Sequence, residues 1–179
     1  MCGIGCCLSS SVDVANKWAE SMKRALSSRG PDFLATSQVL AGHLKFSAAV
    51  LHLRGRDMAR QPVCDAAGNV LLWNGEIFGG IAVEESESDT NVLAGLLRSA
   101  VTKSEVLSLI ERADGPFGFI FWHSLTSTLF FGRDKFGRRS LLVNVQAADT
   151  AEFVLCSAAP ESRTSSPVEW EEVRMGGIF

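Results

Sequence analysis

Val70-Leu71-Leu72-Trp73-Asn74-Gly75-Glu76-Ile77-Phe78 is the stretch on which the fold turns. Asn-Gly between apolar runs is the leading short-range hairpin signal. On that reading residues 70–73 and 76–83 are strands and Asn74-Gly75 is the turn between them. The same dipeptide also holds the donors an oxyanion hole uses, a side-chain carboxamide and a backbone N–H beside a residue without Cβ. A turn can scaffold both roles, so the two readings stay open.

About seventy residues upstream the chain opens Met1-Cys2-Gly3-Ile4. Cys is small enough for Met1 to be removed, and removal would leave one residue carrying a thiol and a free α-amine. An amine with a pKa near 7.7–8.0 can accept a proton at physiological pH, and a thiol at about 8.5 needs only modest help to ionise. Cys2 could therefore supply nucleophile and base together. The bland alternative is a small buried hydrophobe, the commonest fate of a free Cys.

Elsewhere the pattern is α+β. Residues 3–8 read as a short buried strand, with Cys6 and Cys7 as core positions. A helix over 13–28 carries Val14, Trp18, Met22 and Ala25-Leu26 on one face and stops at Arg29-Gly30-Pro31. Strands follow at 33–40 and 44–53, then a polar, turn-rich connection. The acidic run 84–89 leads into a helix ending near Val101, and a second helix spans 104–111. The rest reads as strands at 117–123, 128–132, 141–145 and 153–157, with a mobile loop expected at 158–167 and a returning strand within 168–179. The pattern alone establishes α+β and not the stacking of the layers.

Composition bounds the function. The chain has 179 residues, 46% hydrophobic, which suits one domain with a single core. A net charge of −3, from 17 basic and 20 acidic residues, leaves no electrostatic footprint for nucleic acid or a membrane surface. No apolar run approaches the roughly 20 residues of a membrane span. Five cysteines form no C-x-x-C pair and only three histidines accompany them, so neither metal nor cofactor is expected. The odd cysteine count and the missing secretory n-region point to a reducing, cytoplasmic setting. A Cys-His hydrolase built on Cys64 or Cys156 with His52 or His123 has no motif in its favour.

The motifs run in an order that resembles the class II, N-terminal-nucleophile glutamine amidotransferase domain, and within it the amidotransferase half of asparagine synthetases. They are Met1-Cys2-Gly3-Ile4, Arg29-Gly30-Pro31-Asp32, Gln61-Pro62-Val63, Trp73 to Phe78, Ser88-Asp89-Thr90 and Gly132 to Arg139. The resemblance implies an αββα sandwich of two mainly antiparallel sheets flanked by helices. It implies that glutamine is hydrolysed through a γ-glutamyl thioester on Cys2, with Asn74 and Gly75 holding the oxyanion. Glu76 and Asp89 fall where the family binds substrate, Asp89 receiving the α-ammonium. Arg29 to Asp32 and Arg133 to Gly137 are supports near the site. The implied partner is an ammonia-accepting synthetase domain or a separate protein serving amino-acid biosynthesis.

Asp89 has a simpler reading as a helix N-cap, ahead of Val92, Leu93, Leu96 and Leu97. The sequence departs from the family where synthetase-type relatives carry an Arg for the substrate carboxylate, because the ungapped count back from Gln61 lands on Val50. Arg54 or His52 then substitutes, or glutamine binding is weakened. That departure keeps a second class of function open, a catalytically weak or inactive binding module. Ser140 stands where Pro is common and Gly79 where Asn is common. The Ser-Gly-Gly-x-Asp-Ser loop of a synthetase domain is absent, so 1–179 reads as one amidotransferase domain, excised or free-standing.

Overall fold

The structure, a computed structural model, describes residues 1–53, 55–144, 152–160 and 169–179. Two antiparallel sheets stack face to face. The first has six strands in the order β10-β8-β9-β1-β3-β2 and the second four in the order β4-β5-β6-β7. In the first, β1 is Gly3–Ser9, β2 Phe33–Val39, β3 Leu44–Val50, β8 Leu142–Asn144, β9 Glu152–Cys156 and β10 Trp170–Glu172. In the second, β4 is Val63–Cys64, β5 Val70–Gly75, β6 Phe117–His123 and β7 Thr128–Arg133. Helix α1, Val12–Ser27, covers the outer face of the first sheet, while α2, Asp89–Leu97, and α3, Lys103–Glu111, cover the second.

Three apolar layers hold these parts together. Between the sheets, Ile4 and Cys6 of β1 and Leu44, Phe46 and Ala48 of β3 meet Val70 and Leu72 of β5 and Ile120 and Trp122 of β6. The layer under α1 takes Cys7, Ala49 and Val154 with Ala15, Met22 and Leu26. The layer under α2 and α3 takes Leu71, Trp73, Phe119 and Phe121 with Leu93, Leu97, Val106 and Ile110. Consecutive strand residues thus serve different layers, the period-2 rule at work in strands buried on both faces. The αββα sandwich is the architecture the resemblance implies.

Most sequence-read elements lie within a residue or two of the observed ones. Helix α1 is capped by Ser11, whose side chain accepts from the N–H of Val14. Its buried stripe is Ala15, Ala19, Met22 and Leu26. Val14 and Trp18 sit at the flank, because two alanines let the backbone lie close to the sheet. Helix α3 begins with the reciprocal Thr102–Glu105 capping box. In the tail, β10 edges the first sheet, while Phe131 and Phe179 exchange two backbone hydrogen bonds of 3.1 and 2.9 Å beside β7. Most of the expected 158–167 loop, like Arg54, lies outside the described residues.

The hairpin at Asn74-Gly75 does not form. Both residues belong to β5, where Asn74 faces Gly118 and Gly75 faces Phe117 of β6. Residues 76–83 form no strand, only a bridge between Gly79 and Asp114. The reason is edge occupancy. β4 takes one edge of β5 and β6 the other, so the following segment finds no free ladder, and Ile77 and Ile81 turn into the layer under α2 and α3. Gly75 is demanded by close approach, since a Cβ there would lie 2.5 Å from Phe117 Cβ and from the Pro116 carbonyl oxygen.

Gln61 completes the edge that the two-residue β4 leaves short. Its buried carboxamide donates to the Trp73 carbonyl at 2.9 Å and accepts from the Trp73 N–H at 2.7 Å, a side-chain rung beside Asn74. Replacing it with Leu strands both backbone groups of Trp73 in a dry interior. Gln61→Leu is expected to cost about 2–4 kcal/mol in urea unfolding, and a loss below about 1 kcal/mol would show that this rung carries little.

Candidate active site

The inter-sheet layer ends in a cleft, and the strand rows that build it carry on into that cleft. Ile4 and Cys6 point inward from β1, so Cys2 is the next residue of that row. Leu72 is followed by Asn74 on β5, and Ala48 by Val50 on β3. Cys2, Val50 and Asn74 all line the cleft, together with Gly75, Glu76, Asp89, His52 and Arg139. The structure therefore brings together Cys2, Asn74, Gly75, Glu76 and Asp89. Arg54 is outside the described residues.

Cys2 is half-buried, and its thiol donates to the Leu51 carbonyl at 3.6 Å. Burial pushes the thiol above its ordinary value. The hydrogen bond to Leu51, the Met1 ammonium and the Arg139 guanidinium pull it back only in part, while Asp32 adds to the rise. With Met1 in place the nitrogen of Cys2 is a peptide amide, so the thiol has no base on its own residue. The Leu51 acceptor is steadied by Arg29 to Asp32. Gly30 passes so close to Ala49 and Val50 that a Cβ would lie 2.2 Å from the Ala49 carbonyl carbon. Asp32 donates its N–H to Val50 and accepts from the N–H of His52 at 2.8 Å.

Asn74 is 1% exposed, and its Nδ2 finds no acceptor among the described residues. The Trp73 indole N–H, in the layer under α2 and α3, likewise finds no acceptor among the described residues. An unmatched buried donor costs about 1–3 kcal/mol, so such a group facing a cleft is a mark of a ligand site. Asp89, 5% exposed, is the first residue of α2 and not its cap. Ser88 holds the cap position without a side-chain hydrogen bond, and Asp89 Oδ2 accepts from the N–H of Ile77 at 3.0 Å. Its charge at the helix N-terminus is favoured by the backbone dipoles.

Arg139 is the cleft residue that motif reading passed over. Its Nη2 bonds Glu76 Oε1 at 3.0 Å, and it arrives on the turn that follows β7. The buried Asp134 organises that turn, accepting from the N–H groups of Phe117, Phe136 and Arg138 at 2.9–3.0 Å. Burial alone would raise the Asp134 carboxyl. The amides of Phe136 and Phe117 and the pairing with Arg138 outweigh it and hold the group below the usual carboxylate range. Arg133 grips the far side, donating to the carbonyls of Arg139, Gly137 and Val173.

The other cysteine–histidine pairings do not arise. Cys156 is fully buried, its thiol pushed up to about 12 by burial, and Cys64 is exposed. His123 is held by Thr126 and the Ala100 carbonyl through its two ring nitrogens. Among the described residues no cluster of three metal-ligating side chains occurs, and no described helix is long and apolar enough to cross a membrane.

A stacked pair of antiparallel sheets between helices is the fold that comparison with known proteins returns. Residues 1–162 match the family model described as a glutamine amidotransferase domain, and the chain belongs to that family. It is 41% identical over 184 residues to asparagine synthetase domain-containing protein 1 of Bos taurus and 40% identical over 185 to that of Homo sapiens. These alignments cover 100% of this chain and 28% of each relative, so the chain spans little more than a quarter of their length. Drosophila melanogaster has a similar protein, 31% identical over 147 residues, covering 80% of this chain and 26% of that one. The Bacillus subtilis glutamine phosphoribosylpyrophosphate amidotransferase complexed with ADP and GMP shares the fold with a TM-score of 0.59 at 15% identity, over 98% of this chain and 46% of that one.

Asp134 offers a test of how the turn is held. A carboxyl lowered on folding stabilises the folded state fully above its unfolded value of about 3.9, and the contribution disappears as pH falls through the lower folded value. Asp134→Asn is expected to lose about 2 kcal/mol at pH 7. The gap to wild type should narrow below about pH 4. A pH-independent gap in urea titrations would contradict this account.

Proposed function

We propose that the chain is a glutaminase domain that releases ammonia from glutamine through Cys2. Once Met1 is removed, the α-amine of Cys2 takes the thiol proton and the sulfur attacks the side-chain carboxamide carbon of glutamine. A C–S bond forms, the carbonyl oxygen takes the negative charge, and Asn74 Nδ2 and the Gly75 N–H supply the donors that hold it. The ammonium returns its proton to the leaving nitrogen, the C–N bond breaks, and ammonia departs, leaving a γ-glutamyl thioester. Water then attacks, with the amine again as base, giving glutamate and the free thiol. Glu76 and Asp89 hold the α-ammonium of the substrate.

The observation that carries this reading is the unmatched, buried carboxamide of Asn74 lining the cleft that also holds Cys2. The rise in the Cys2 thiol fits it, because a nucleophile with that handicap needs a base delivered to its side. Ammonia so formed would pass to a synthetase domain or partner protein, in keeping with the names of the longer relatives. Cytoplasmic amino-acid biosynthesis is the setting proposed for it.

A second reading, a non-hydrolytic binding module, is favoured by Val50. The β3 row delivers an apolar side chain, 3% exposed, where synthetase-type relatives deliver a guanidinium.

Treatment with a diazoketone analogue of glutamine separates the two. Under the glutaminase reading the Met1-free protein gains one adduct by intact mass, lost in Cys2→Ala, and releases ammonia from glutamine. A folded, Met1-free chain that takes no label and releases no ammonia would leave the binding-module reading. Simple alkylation tests the base. In the Met1-bearing chain the rate at Cys2 should climb with pH beyond the ordinary thiol value of about 8.5. Removing Met1 should move that profile to lower pH, and unchanged profiles would deny the amine its role.

A further inference from the structure

We propose that Arg139 holds the α-carboxylate of glutamine, replacing from the turn after β7 the guanidinium that Val50 does not provide. The inference rests on the glutaminase reading only for the identity of the ligand.

Four observations lead to it. First, Arg139 lines the same cleft as Cys2, Asn74, Glu76 and Asp89, and it is the only Arg or Lys among the described residues that does. Second, its side chain is 18% exposed, yet its donors are poorly matched. Nη2 reaches Glu76, Nη1 faces only the thioether sulfur of Met1 at 2.9 Å, and the buried Nε has no acceptor among the described residues. A thioether is a weak acceptor, so apart from the Nη2 pairing with Glu76 the donors of this partly buried guanidinium lack a strong acceptor. That is costly unless a ligand supplies one.

Third, Met1 is the residue whose loss the proposed chemistry requires. Its departure removes the Nη1 contact and leaves that donor for a substrate in the same step that frees the Cys2 amine. Fourth, the backbone that carries Arg139 is held firmly. Arg133, 7% exposed, donates to the Arg139 carbonyl at 2.8 Å, and Asp134 accepts from the N–H of Arg138 at 3.0 Å. Ordering such a side chain in advance lowers the entropy lost on binding.

The charges then alternate across the cleft. Asp89 and Glu76 face the α-ammonium, and Arg139, already bound to Glu76, faces the α-carboxylate. A free amino acid carries both charges, and this arrangement answers both. A neutral replacement for the carboxylate would leave Nη1 and Nε of Arg139 without an anionic acceptor, so the site should select the free α-carboxylate.

The experiment compares binding of L-glutamine with binding of L-glutaminamide, which lacks that charge, by NMR titration of Met1-free Cys2→Ala protein. This background needs no turnover. Glutamine is expected to bind about 10- to 100-fold more tightly than the amide. Arg139→Gln should bring the ratio close to one, chiefly by weakening glutamine, and Arg139→Lys should keep part of it. A role confined to holding Glu76 would weaken both ligands alike and leave the ratio, which would overturn the inference. Equal binding of both ligands before any change at Arg139 overturns it without reliance on a variant that fails to fold. Collapse of the ratio in Arg54→Ala but not in Arg139→Gln would assign the carboxylate to Arg54 and overturn it too. Failure to bind glutamine at all overturns both proposals. Absence of ammonia release from the Cys2 protein, with an Arg139-dependent ratio intact, overturns only the glutaminase reading.

Discussion

The packing of one sheet on the other is the constraint from which the rest of the site descends. Ile4, Cys6, Phe46 and Ala48 on one side and Val70, Leu72, Ile120 and Trp122 on the other fill the inter-sheet space. Because strand side chains alternate with period 2, the same rows that bury these residues determine where the next inward positions fall. At one end of the sandwich those positions are Cys2, Val50 and Asn74. The sulfur and the carboxamide are therefore held on opposite walls by the burial of their apolar neighbours, and a slip of one residue in β1 or β5 would send either of them to the other face.

Packing alone does not hold strand ends, which fray where the apolar layer runs out. The polar groups around the cleft supply what is missing. Gln61 substitutes for an absent ladder partner beside Asn74. The Arg29-Gly30-Pro31-Asp32 turn lies against the last residues of β3 and so steadies the Leu51 carbonyl that receives the thiol. Asp134 ties the first residue of β6, which faces Gly75, to the turn that carries Arg139. Gln61 and Asp134 are buried with their side chains hydrogen-bonded, whereas Asn74 Nδ2 and Arg139 Nε find no acceptor among the described residues. Hydrogen-bonded side chains thus place Gln61 and Asp134 in the frame of the cleft, and the unmatched donors of Asn74 and Arg139 are what the proposed ligand contacts rest on.

Much of this was legible in the sequence, and the misses have physical causes. Helices α1 and α3 and strand β6 were readable because apolar spacing and caps agree with their tertiary roles. Asn74-Gly75 was misread as a hairpin because its local signal is identical to that of a turn. The partner strand comes some forty residues later, after two helices, and local pattern cannot announce a long-range ladder. The N-cap reading of Asp89 failed by one position, which matters because a first-turn carboxylate is free to accept from Ile77. Cys2, Glu76 and Asp89 could be singled out by motif. Arg139 could not, since its neighbour Arg138 has the same side chain and only the fold shows which of the two enters the cleft.

In the proposed reaction, the burial that positions Cys2 also works against it as a nucleophile. Desolvation disfavours the thiolate, and in the Met1-bearing chain the nearby cations offset that only in part. A base contributed by another strand would have to enter the same dry layer, where a second ionisable group would pay its own desolvation. In the proposed reaction an α-amine on Cys2 itself would avoid that penalty, since Cys2 sits where the apolar layer ends. A cysteine at the mouth of the seam thus meets both demands of the proposed reaction. Deeper in β1, at Cys6 or Cys7, the thiols are driven further up by burial and have no terminal nitrogen beside them.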